Sequence, residues 1–300
     1  MKYEISRGPH CQSKSMYVRR IFSKFPIVGR IAPNYWHFDK LDFIDYFENH
    51  YNSYKIKINE PYNDLQKSHH REMKYLAEIC VKESPSTINA WEACGLSSLK
   101  LGLYEQSANY FRLLTEIRKD CPSYIMLGDA TRDHSEKLSS YRKAADIDPK
   151  NFSACDSLSR ELAFQENYRE AINVILSFFD DDVICWYSLG YLAIYSINIK
   201  DLNSAEKYLF QALEMDTLKV MQWFEQDLSD ACVGHENFSM KIFKYVKNID
   251  KYAASQFIKF YARRQVAFNQ GVEVWNADED AVILWLKMHS IPLRDRRYEL

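Results

Sequence analysis

The sequence predicts an all-α chain built from repeated helical hairpins, and three observations carry that prediction. A column of residues at one helix position, Ser107, Lys137, Ala171, Ala205 and Ser239, steps by 30, 34, 34 and 34 residues. A bulky column four residues on, Phe111, Tyr141, Ile175, Leu209 and Phe243, keeps the same steps. Only 8 Gly and 8 Pro interrupt 300 residues, too few turn formers for a sandwich or barrel of many short strands. A period near 34 is that of a helix-turn-helix repeat, in which each hairpin buries its apolar face against its neighbours.

Composition sets the class. The 47% apolar and 27% charged fractions are those of a folded chain that buries enough surface to offset its conformational entropy. Seven cysteines occur without a Cys-x-x-Cys, and Cys80, Cys94, Cys155, Cys185 and Cys232 fall where a helix wants a small apolar residue. That usage points to a reducing, cytoplasmic setting and to no zinc knuckle. No apolar run reaches the length of a membrane span, and no compact secretory signal opens the chain.

The elements follow in order. Residues 1–38 hold seven basic side chains, Lys2, Arg7, Lys14, Arg19, Arg20, Lys24 and Arg30, against Glu4 alone, so a basic arm leads an acidic body. The arm, taken as 1–34 and flexible, reads as a mitochondrial presequence, a contact for anionic membrane or nucleic acid, or a simple lead-in. A helical cap is expected over 35–84. Its second helix, 64–82, carries Met73, Leu76, Ala77 and Cys80 on one face, and its partner is the aromatic stretch 38–54.

Repeats then occupy 85–249. The first reads Trp91, Cys94, Gly95 and Ser98, a Gly102-containing turn, then Ser107, Phe111 and Leu114. The second has Tyr124, Leu127, Gly128, Tyr141 and Ala144; the third has Cys155, Leu158, Ser159, Tyr168, Ala171 and Ile175. The fourth has Trp186, Leu189, Gly190, Ala193, Ala205 and Leu209. The fifth keeps Trp223, Gly234, Ser239 and Phe243 but places Gln226 and Asp227 in the Leu and Gly columns. On this alignment the turn of the second repeat loses about one helical turn and that of the fourth, near 197–202, gains one. Two closing helices are expected over 252–269 and 278–289, followed by a mobile tail at 294–300.

This skeleton resembles the tetratricopeptide repeat, with its Trp, Leu, Gly and Tyr on the first helix and Ala, Phe, Ala and Pro on the second. The resemblance implies a right-handed α-solenoid of about five to six hairpins with capping helices, and it implies a noncatalytic adaptor whose first helices line a concave groove. A peptide or helical segment of another protein is then the expected partner. In the fourth repeat Tyr187, Tyr191 and Tyr195 form one stripe at groove-facing positions, flanked by Phe224 and Leu228 from the fifth repeat and Arg160 and Phe164 from the third. The competing reading is that the closing helices bury this stripe as core. The family's clamp for acidic chaperone tails is missing, because its positions hold Glu92, Leu96, Met126, Asp156 and Ser157.

Chemistry finds no foothold, so no catalytic residue, metal site, cofactor or small-molecule substrate is assigned. His69 and His70 are adjacent and do not share a helix face. His134 and His235 sit in turns, and Asp180, Asp181 and Asp182 are more simply a capping turn than a cation site. No phosphate loop or nucleophile elbow occurs. The alternatives to an adaptor are a structural protein directed by its basic arm to membrane, organelle or nucleic acid, and a specialised secretion or assembly chaperone.

Overall fold

The structure is a computed structural model that describes residues 40–58, 64–179 and 184–291, with the side chains of 40–43, 56–57 and 64–66 outside that description. The basic arm, the Asp180–Asp182 run and the C-terminal tail therefore lie outside the described residues. Within them every regular element is helical: α1 (Lys40–Lys57), α2 (Asp64–Glu83), α3 (Ile88–Lys100), α4 (Tyr104–Ile117), α5 (Cys121–Ala130), α6 (His134–Ile147), α7 (Phe152–Phe164), α8 (Tyr168–Phe179), α9 (Trp186–Asn198), α10 (Leu202–Ala231), α11 (Glu236–Ile249), α12 (Lys251–Gln270) and α13 (Glu279–Met288), with a short 3-10 turn at Val274–Asn276. Among the described residues the fold is all-α and built from sequentially packed helical hairpins. The described residues divide into two compact bodies, with the boundary after Ser157.

In the N-terminal body each helix packs on the next from α1 to α6. Phe47, Tyr51, Tyr54, Met73, Leu76 and Cys80 bury the seam between α1 and α2, continuing onto Ala90, Ala93 and Cys94 of α3. Hairpin closure then depends on small residues. The ring of Phe111 lies where a Cβ on Gly95 would be, 2.5 Å away, and Tyr141 stands 2.3 Å from the same point on Gly128. Ser107 Oγ donates to the Gly95 carbonyl at 2.8 Å, so two backbones approach at one small residue from each helix. Glu92, itself buried, accepts from Tyr51 Oη at 2.8 Å and pairs with Arg118 at 3.1 Å. Arg112 Nε and Nη2 bond Glu136 at 2.6 and 2.8 Å, tying the second helix of one repeat to that of the next.

The C-terminal body shows the period in its backbone. Left-handed residues stand at Glu166, Lys200 and Gly234, 34 apart, each five before the Ala171, Ala205, Ser239 column; Gly102 stands five before Ser107. At Gly102, Glu166 and Lys200 the turn closes as a Schellman motif, with the amides of Leu103, Asn167 and Asp201 each 2.9 Å from the carbonyls of Ser98, Leu162 and Ser196. The second repeat departs: Thr131 is extended between α5 and α6, and no left-handed residue occurs there.

Two readings of the alignment are corrected. The fourth turn is not enlarged, because Ile199, Lys200 and Asp201 alone separate α9 from α10. Counted from that turn, Leu192 and Ala193 stand where Leu158 and Ser159 stand in the third repeat, three residues beyond Leu189 and Gly190. In the fifth repeat the inward face is Met221, Phe224, Leu228, Ser229 and Cys232, whereas Trp223 is 63% exposed and Gln226 and Asp227 stand outside that face. The ring that fills against Gly190 is Phe224, from the following helix, 2.2 Å from where a Cβ would stand.

No loop separates the fourth and fifth repeats. Helix α10 runs 30 residues and breaks only at Asp216 (φ −162°, ψ 85°). The Asp216 carboxylate accepts from the Lys219 amide at 3.1 Å, capping a new helical segment inside what is outwardly one helix. Beyond it α12 packs on α10, α11 and α13. His289 Nε2 lies 2.8 Å from Glu236 Oε1, fixing the end of α13 to the start of α11. Burial pushes the Cys155 and Cys232 thiols up to about 12, in keeping with cysteines used as small apolar residues.

Candidate functional site

The tyrosine stripe is a ladder of rings. Tyr187 and Tyr191 meet edge to face with centroids 5.0 Å apart, and Tyr191 and Tyr195 follow at 5.6 Å. Phe224 supports the ladder from α10, 5.0 Å from Tyr191 and 5.8 Å from Tyr187. Trp223 closes its upper end 6.2 Å from Tyr187, and Tyr168 its lower end 6.0 Å from Tyr195. The i, i+4, i+8 spacing on one helix aligns the rings, and Gly190 lets Phe224 come close enough to touch two of them.

Beside the ladder, α7, α8, α9 and the second half of α10 enclose an open cleft of about 500 Å³. Tyr191, Tyr195 and Ile194 line one side, Phe164 and Tyr168 another, and Asp227 and Asp230 a third, with Arg160 at the rim. No described residue of α12 or α13 lines it, so the closing helices do not fill this space. Phe164 is 67% exposed at its edge.

The seven residues selected from sequence separate here. Arg160, Phe164, Tyr191 and Tyr195 line the cleft, and Tyr187 stands half-buried one helical turn further along the ladder. Phe224 and Leu228 do not: at 2% and 1% exposure they are core, and they shape the surface only by holding the tyrosines. Tyr195 is also largely enclosed, at 4% exposure, and offers the cleft an edge rather than a face. Sequence reasoning missed Tyr168, Trp223, Asp227 and Asp230. Analogy with the Trp of other repeats turns Trp223 inward, and Asp227 sits in a column where the repeat expects Gly, so neither signals a surface role.

The charges are arranged in opposition. Arg264 of α12 grips Asp230 through Nε, with a second contact from Nη2 at 3.2 Å. The Asp227 carboxyl is raised above its usual range by burial and by the nearby Asp230, against the pull of Arg160 and Arg264. Half-buried Glu225 is pushed up to about 7 by burial, with Arg264 working the other way. The site is an aromatic trough with one acidic wall. Among the described residues no group of three or more His, Cys, Asp and Glu could hold a metal ion, and no helix is long and apolar enough to cross a membrane.

No protein-family model and no curated protein matches the chain. Its fold is similar to the crystal structure of a thermophilic TPR protein from Thermus thermophilus, with a TM-score of 0.42 at 16% identity over 62% of this chain and 98% of that one.

Proposed function

We propose that this protein is a noncatalytic interaction scaffold whose C-terminal body holds a peptide or helical segment of another protein in the cleft between α7 and α10. The observation that carries the reading is the open trough floored by Tyr191 and Tyr195 and walled by exposed Phe164. Tyrosines offer large, stiff apolar area with a polar tip, and here neighbouring rings already fix their rotamers, so a ligand meets a surface that loses little entropy on binding.

The test places a photo-crosslinking residue at Phe164 and, as a control, at exposed Met215 on α10. The expected result is a discrete partner segment captured at 164 and not at 215, with recovery of that partner falling at least tenfold in a Tyr187→Ala/Tyr191→Ala variant of unchanged helicity. Equal capture at both positions, or unchanged recovery in the variant, removes the cleft as the site.

A further inference from the structure

A second cleft, in the N-terminal body, has the opposite electrical character. Lys67, Arg71 and Lys74 stand at i, i+4 and i+7 of α2, on one helix face. With Tyr75 and Glu78 of the same helix, and Leu101 and Leu103 from the turn after α3, they line an open cleft of about 500 Å³. Lys74 is spent on Glu78, which also accepts from Tyr110 Oη at 3.2 Å. Lys67 and Arg71 are exposed, and neither has an ion pair with any described residue. Three cations against one carboxylate leave the cleft with two positive charges in excess. The pKa of buried His70, next to Arg71 on the same helix, is lowered first by burial and then by Lys100 and His69.

We propose that this cleft docks an acidic segment of a partner protein, with two carboxylates on Lys67 and Arg71 and an apolar side chain on Leu101 and Leu103. Charge complementarity selects the sign of the ligand, and the apolar side selects a peptide. Leu103 is 38% exposed and gives an apolar side chain somewhere to rest. Glu78 lies in the lining and repels a continuous phosphate backbone, whereas a peptide can space its carboxylates to avoid it. Sequence alone hides the site, since three cations on one helix read as a solvated face and the leucines come from about 30 residues downstream.

The probe is a fluorescent Asp/Glu-rich peptide carrying one leucine, titrated onto the full chain and followed by anisotropy. Binding is expected, weakening with ionic strength as exposed charges are screened. It should weaken at least tenfold in Lys67→Glu/Arg71→Glu and severalfold in Leu103→Ser, and stay unchanged in Tyr187→Ala/Tyr191→Ala. That last variant separates this site from the aromatic cleft, so either proposal can fail alone. Lys67→Gln/Arg71→Gln serves if charge reversal lowers helicity, with the same direction expected. No binding of the peptide, or binding indifferent to both double variants, overturns the proposal. So does equal or tighter binding of duplex DNA or phosphatidylserine vesicles with the same sensitivity to the variants, which would make the face a general anion attractor.

Discussion

The ring of Phe224 occupies the space beside Gly190 where any other residue would place its Cβ, 2.2 Å from the nearest ring carbon. Gly190 belongs to the first helix of the fourth repeat and Phe224 to the first helix of the fifth, so this contact joins consecutive repeats. In the first two repeats Gly95 and Gly128, which stand in a different column, receive a ring from their own second helix. Gly190→Ala is expected to destabilise the C-terminal body by about 1–3 kcal/mol through overpacking. Phe224→Leu in the same background should recover part of the loss, a coupling that a double-mutant cycle in urea measures. Additive losses would show that the two residues do not share this space.

Two hairpin turns hold their left-handed position without glycine. Glu166 (φ 61°) and Lys200 (φ 64°) carry a Cβ into a conformation that costs about 1 kcal/mol or more relative to glycine, while the first and fifth repeats use Gly102 and Gly234 there. Replacing either residue by glycine should stabilise the chain, by about 0.5–1 kcal/mol once the looser unfolded chain is counted. Thermal melts of the single and double variants read this directly, and lower melting temperatures would show that the side chains offset their strain elsewhere.

Stability should respond to pH through two carboxylates of opposite sign. Glu136 is held down at about 2 by its bonds from Arg112 and Thr131, from an ordinary value of 4.5. Its contribution is full above about 4.5 and lost as pH falls toward 2, and Arg112→Ala should flatten that limb of the stability curve. Glu225 is raised to about 7 by burial, so its folded form favours the proton; the native state loses stability as pH rises from about 4.5 through 7. Glu225→Gln should therefore stabilise the chain at pH 8, by about 1 kcal/mol after screening of a half-exposed group, and leave it nearly unchanged at pH 4. An equal effect at both pH values would deny the raised carboxyl.

The second-helix columns are legible in the sequence because they obey a steric rule that acts locally. A small side chain must stand where two backbones close, as Ser107 does against the Gly95 carbonyl, and a large one must stand a turn later, as Phe111 does. The turns confirm that register to the residue, each left-handed position falling five before the column. First helices are less legible. The Trp-x-x-Leu-Gly run at Trp186–Gly190 imitates the repeat pattern three residues early, since Gly190 answers to Phe224 rather than to its own second helix. Likewise Trp223 and Phe224 are adjacent and chemically alike, and nothing local says which of them faces inward.

What the sequence determined by itself was the all-helical class, the period of the second helices and the tyrosine stripe, because each follows from spacing along one helix or one hairpin. Only the tertiary structure decided which aromatic rings are core and which are surface, that Asp216 joins two repeats without a loop, and that Lys67 and Arg71 share a cleft with Leu103. Those outcomes depend on how one helix is rotated against another, and that rotation is set by packing among residues about 30 or more apart in the chain, beyond the reach of any local pattern.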